Sequence, residues 1–139
     1  MELRSFVASL FAFVFVSSNV QAREAMAFEF TDPEDSVHLI VMNVNGQKVS
    51  GTVTKYIGGY ESKEKYESKF EGKVLTAPSK AGQKIEVFLK SDKHNLDTDK
   101  NKRTTWILAP SGDLRVPVAL PIGRQPYREV ETFRRQQLQ

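Results

Sequence analysis

The chain reads as all-β: a small antiparallel β-sandwich of six to seven strands, followed by a short C-terminal helix or tail. Three stretches carry that reading. Asn45-Gly46 is a turn that feeds the β-rich run Lys48–Ile57. Ala81-Gly82 launches a second run in which Ile85, Val87 and Leu89 alternate with Lys84, Glu86 and Lys90, with Phe88 the exception. A third run sets Leu114, Val116, Val118 and Leu120 against Asp113, Arg115, Pro117 and Ala119. Successive side chains of a strand point to opposite faces, so period-two alternation marks half-buried strands. Several short strands separated by turn signals pack as a sandwich.

Taken in order, the chain opens with Arg4, an apolar stretch from Phe6 to Val16, and Val20-Gln21-Ala22 with small residues at the positions a signal peptidase reads. Residues 1–22 are therefore expected to be a cleavable signal peptide, cut between Ala22 and Arg23. The apolar stretch is roughly half the ~20 residues that a spanning helix needs. Residues 23–123 form the expected β-sandwich domain and 124–139 the tail or short helix.

Arg23 to Phe30 is a short lead, and Thr31-Asp32-Pro33-Glu34-Asp35-Ser36 is a turn cluster. Val37–Val44 is a nearly continuous apolar run, too short for a helix and rich in β-branched residues, which predicts a central strand buried on both faces. Gly58-Gly59 interrupts the strand that returns from Asn45-Gly46. In the segment 60–73 every odd position from Glu61 to Lys73 is charged, while Tyr60, Tyr66 and Phe70 fall on even positions. That parity favours a strand or hairpin arm with one solvated face. A helix is the rival, through the Glu61–Lys65 and Lys63–Glu67 spacings. Ser91 to Arg103 is a polar connection without periodicity, Thr104–Ala109 a short strand carrying the only tryptophan, and Pro117 places the last strand at an edge or with its proline side exposed.

Composition narrows function. With no cysteine there is no disulfide framework, thiolate metal site or cysteine nucleophile. Small secreted eukaryotic domains are usually stapled by disulfides, so a cysteine-free exported domain is expected in a bacterial periplasm or outside a bacterial cell. The net charge of +3 is spread along the chain and gives no reason to expect a nucleic acid.

Asn45-Gly46-Gln47-Lys48-Val49-Ser50-Gly51-Thr52-Val53 resembles the opening hairpin of transthyretin-like, carboxypeptidase-regulatory-like domains, with Lys48 where those modules carry a proline. Ala81-Gly82-Gln83-Lys84-Ile85-Glu86-Val87 is similar to the Gly-led strand that follows in them. The resemblance covers about half the exported chain. It implies an Ig-like sandwich with a non-catalytic accessory role and carries no catalytic residues. A weaker likeness is to small periplasmic lysozyme inhibitors, through a β-rich exported chain with a Gly-Gln-led strand.

Candidate sites are few. A hydrolytic triad needs an imidazole base, and only His38 and His94 could supply it. His38 reads as a hydrogen-bonded sheet residue and His94 as a solvated loop residue. No Gly-x-Ser-x-Gly elbow, phosphate-binding glycine loop or His-Glu-x-x-His occurs. No enzyme activity and no cofactor are expected. Asp97, Asp99 and Asn101 match the first ligand spacings of a calcium loop, but Lys102 replaces the turn glycine and Leu108 the bidentate glutamate. Tyr56, Tyr60 and Tyr66 are candidates for an aromatic binding surface. Tyr127, Val130 and Phe133 recur every three residues, as the contact stripe of a short helix would. The expected function is an exported binding, accessory or assembly module of a bacterial envelope whose partner is another envelope or extracellular protein. The alternative is an inhibitor of a secreted hydrolase such as a lysozyme.

Overall fold

The computed structural model describes residues 23–91, 93–120 and 127–138, with the side chains of Arg23 and Tyr127 left aside. The expected signal peptide and its cleavage site therefore lie outside the described residues. Eight strands follow one another: β1 Arg23–Thr31, β2 Val37–Asn45, β3 Lys48–Tyr56, β4 Lys65–Val74, β5 Gln83–Leu89, β6 Arg103–Leu108, β7 Leu114–Leu120 and β8 Tyr127–Gln136. Each pairs antiparallel with its sequence neighbours, and β8 returns to β1 to close the sheet. The architecture is thus a closed eight-stranded up-and-down barrel, not a sandwich of six or seven strands.

The two strands missing from the sandwich reading are the first and the last. The lead Arg23–Phe30 is β1, with Met26 and Phe28 buried inside and Glu24 and Ala25 exposed at its start. The expected tail or helix is β8. A strand sends Val130 to the opposite face from Phe133, so the three-residue recurrence builds no stripe: Val130 is 58% exposed and Phe133 fully buried. β8 pairs with β7 from Tyr127 to Phe133 and with β1 from Arg134 to Gln136. Closure removes the free edges that an open sheet would present. The segment 60–73 resolves in favour of a strand from Lys65, with Ser68 and Phe70 inside and Lys65, Glu67, Lys69, Glu71 and Lys73 outside. β2 is not buried on both faces. His38, Ile40 and Met42 are buried inside, whereas Leu39 and Val41 are only half-buried outside.

An eight-stranded barrel is just wide enough for side chains to fill, and this one is filled. Trp106, Phe28, Phe70 and Phe133 are its largest fully buried side chains, with Met26, Ile40, Met42 and Ile85 among them. Phe70 meets Trp106 edge-on at 5.0 Å between centroids, and Phe30 stacks on Phe133 at 5.1 Å. The charged outside and apolar inside reverse the pattern of a membrane-spanning barrel. No described helix is long and apolar enough to cross a membrane.

Two details set the shape. Gly46, at φ 66°, takes the first position of the two-residue β2–β3 turn, as a II′ hairpin turn requires. Gly51 lies opposite Phe70, where a Cβ would stand 1.9 Å from the Val41 carbonyl oxygen and 2.8 Å from the Phe70 ring. The oxygen belongs to the neighbouring strand's backbone and cannot step aside without opening the ladder. Gly51→Ala is therefore expected to cost at least the ~1–3 kcal/mol typical of overpacking. Urea unfolding measures it, and a loss under ~0.5 kcal/mol would mean that the strands can separate freely here.

β6 and β7 pair only at Ile107–Arg115 and Leu108–Leu114. Beyond that point the β5–β6 connection fills the gap. Leu96 bridges Val118, the Asp97 N–H donates to the Pro117 carbonyl at 3.0 Å, and the Ala119 N–H donates to the Asn95 carbonyl at 2.9 Å. Pro117 thus borders an inserted segment rather than a free edge. The connection read as featureless is partly core, with Leu96 and His94 both buried.

Candidate functional site

The β1–β2, β3–β4 and β5–β6 connections meet at one end of the barrel, called here the loop end. Asp32 organises it. Its Oδ1 accepts the Glu34 N–H at 2.8 Å and the Ser36 N–H at 3.0 Å, which closes the turn that Pro33 starts. Its Oδ2 accepts a hydrogen bond from the His38 Nε2–H at 2.8 Å. The Ser36 hydroxyl accepts the Gly58 N–H at 3.2 Å, tying the β3–β4 connection to the same turn. Inside the mouth, the Lys55 ammonium donates to the Asn95 side-chain carbonyl and holds the β5–β6 connection over the barrel.

Burial and bonding oppose each other in this pair. Burial alone would push the Asp32 carboxyl up, but the bonds from His38 and the Ser36 and Glu34 amides outweigh it and hold the group below its ordinary 3.8. His38 is held below its ordinary 6.5 chiefly by burial, with Lys55 adding to the effect; Asp32 pulls the other way. Among the described residues its Nδ1 has no partner within hydrogen-bond distance, although the His94 backbone lies near enough to favour protonation. Both groups have folded pKa values below their unfolded ones, so each contributes stability that acid removes. Stability is expected to fall first as pH drops through about 6.5, when the unfolded chain takes up the imidazole proton, and again below about 3.8. Urea unfolding at stepped pH tests this. His38→Asn should be weaker at neutral pH but lack the first decline, and an unchanged decline would assign it to another group.

Both histidines are buried and bonded within the protein. His38 is sealed inside the barrel. His94 is not the solvated side chain expected: it is buried, its Nε2–H bonded to the Ser91 carbonyl and its Nδ1 accepting the Leu96 N–H at 3.2 Å. The carboxylates of the calcium-like spacing are also engaged. Asp97 accepts Arg128 at 2.6 Å, and Asp99 accepts the Asn101 and Arg103 amides at 2.7 and 3.0 Å. The Arg103 amide is the main reason the exposed Asp99 carboxyl sits below its ordinary range. Among the described residues no group of three or more His, Asp or Glu side chains is placed to hold a metal.

Two of the three tyrosines, Tyr56 and Tyr60, meet. Tyr60 is 49% exposed and packs on Tyr56 at 4.9 Å between centroids. The Tyr60 hydroxyl donates to Glu29 on β1, so its connection folds back across the outside of β2. Burial and the nearby Glu29 carboxylate push the Tyr60 phenol up, keeping it neutral. Lys65 lies 5.9 Å from the Tyr56 ring centre, and Lys93 lies 5.7 Å from that of Tyr66, which is 37% exposed. A cleft of about 290 Å³ separates the start of β4 from the β5–β6 connection, with Tyr66, Ser68, Lys65 and Lys93 on its walls. The stripe Tyr127, Val130, Phe133 is not brought together. Phe133 is core, Val130 faces outward, and the Tyr127 side chain lies outside the described residues.

The sequence reading missed the Asp32–His38 bond that braces the β1–β2 turn. The available signal was an Asx residue before proline, six positions ahead of a histidine in an apolar run. Compared with known proteins, the chain matches no family model, no curated protein and no solved structure.

Proposed function

We propose that the chain is an exported, non-catalytic binding module of a bacterial cell envelope that recognises a protein partner through the loop end of its barrel. The observation that carries this reading is the filled interior. Trp106, Phe28, Phe70 and Phe133 occupy the space where a barrel of this type would hold a small ligand, which leaves recognition to the outside. Tyrosine is enriched among residues that anchor protein interfaces, and Tyr60 on the β3–β4 connection and Tyr66 at the start of β4 are each held half-open at the loop end. The absence of cysteine and the leader-like residues 1–22 support the compartment. Cross-linking in native envelopes, followed by mass spectrometry, tests the reading. One dominant protein partner, lost in the folded Tyr60→Ala/Tyr66→Ala double variant, is the expected result. An unchanged partner set would reject the loop end as the surface.

The second reading is inhibition of a secreted glycoside hydrolase such as a lysozyme. What favours it is the pairing of Lys65 and Lys93 with tyrosine rings at the rim, since such hydrolases carry a pair of carboxylates in their cleft. Cell-wall lysis by purified lysozymes, with and without the protein, decides it.

A further inference from the structure

The end of the barrel opposite the tyrosines carries a second surface, and its argument does not rest on the reading above. Between β4 and β5 the chain runs through Leu75-Thr76-Ala77-Pro78-Ser79-Lys80-Ala81, every residue exposed. The connection is nevertheless braced. The Leu75 N–H donates to the Lys84 carbonyl at 2.8 Å, the Lys84 N–H to the Thr76 hydroxyl at 2.9 Å, and the Gly82 N–H to the Ser79 carbonyl at 2.9 Å. Gly82, at φ 93°, is buried where a Cβ would strike Ile107, so the base of the loop is seated on β6. Leu75 is 46% exposed, and neither it nor Ala77 and Pro78 has gained burial in the chain's own core.

The loop's surroundings name the occupant. Lys48 and Lys73 stand directly opposite each other on β3 and β4, a like-charge pairing that costs stability. Lys84 adjoins Leu75 through the ladder bond, and Lys80 lies in the loop itself. All four lysines are exposed. The carboxylate in this ring is Glu86, 4.0 Å from Lys73, while nearby Glu71 pairs with Lys90 at 3.3 Å. Every cation on β3, β4 and β5 is lysine, whereas every cation on β6, β7 and β8 is arginine. Protein interfaces are depleted in lysine and enriched in arginine. Lysine on a flexible stem suits a layer of phosphate head groups, where it adds electrostatic attraction while apolar groups beside it enter the interface.

We infer that the β4–β5 loop docks the protein on an anionic phospholipid surface, with Leu75 and Pro78 entering the head-group region and Lys48, Lys73, Lys80 and Lys84 contacting phosphates. Each lysine near such a surface contributes about fivefold in partitioning.

The test is co-sedimentation of the full chain with vesicles of phosphatidylcholine alone, or with about a third phosphatidylglycerol, at about 0.05 and 0.5 M salt. Binding is expected to the anionic vesicles only and to fall at high salt. It should drop roughly twentyfold in Lys73→Gln/Lys80→Gln and several-fold in Leu75→Ser, with unchanged thermal melts. Lys69→Gln, on β4 away from the loop, should have a smaller effect. Equal binding to neutral vesicles, no binding, or binding that survives all the loop variants would each overturn the inference, the last by assigning attachment to residues 1–22 or another face.

Discussion

A chain ending at Gln125 is expected not to fold. The deletion removes β8, and with it seven paired positions against β7 and three against β1. It also removes Phe133, which is fully buried and stacks on Phe30, and Arg135, whose guanidinium lies 5.6 Å from the Phe28 ring centre at the far mouth. Deleting one buried phenylalanine side chain alone costs about 3–5 kcal/mol. Exposing two strand edges and the face beneath them adds to that. Since small domains are stable by only ~5–15 kcal/mol, the truncated chain should give a flat thermal melt and expose hydrophobic surface to a dye such as ANS. A cooperative melt within a few degrees of full length would mean that the barrel is complete without its last strand.

The second large effect is at Trp106. Its ring is fully buried and meets Phe70 edge-on, and it lies opposite Ile85 on the neighbouring strand. Trp106→Ala should cost about 3–5 kcal/mol in urea unfolding. The indole N–H is buried without a partner among the described residues, so part of the tryptophan's contribution is already offset by an unmet donor. Trp106→Phe removes that donor along with some volume and should cost under ~1.5 kcal/mol. An alanine variant losing less than ~1 kcal/mol would show that the barrel collapses onto the vacancy.

The legible parts of this fold were those written in short-range pattern. The alternation of Ile85, Val87 and Leu89 places all three inside, and Leu114, Val116, Val118 and Leu120 do the same on β7. The turn at Gly46 lies where its glycine placed it. Closure was not legible, because the pairing of β1 with β8 joins the two ends of the described chain and leaves no local mark. β8 made matters worse. Arg128, Glu129, Glu131 and Arg134 surround its single buried ring, Phe133, so it has no apolar alternation, and a chance recurrence of three imitated a helix. The segment 91–102 was opaque for a related reason. Leu96 enters the core by bridging a strand more than twenty residues away, amid polar neighbours that look like loop. At the loop end the Asp32–His38 bond left only an indirect mark, an Asx residue before proline ahead of a histidine, because the bond depends on a turn folding one residue back over another.

The up-and-down order of the barrel also fixes when the molecule can become complete. Every strand pairing but one joins immediate neighbours in the chain, and such local pairings form early and fast. The exception is the seam between Arg134–Gln136 and Ala27–Glu29, which joins the earliest described strand to the latest. Chains emerge from the ribosome N-terminal end first, so β1 must wait with an open edge until β8 arrives. A nascent chain of this protein is a growing ribbon, and it becomes a ring only once β8 has emerged.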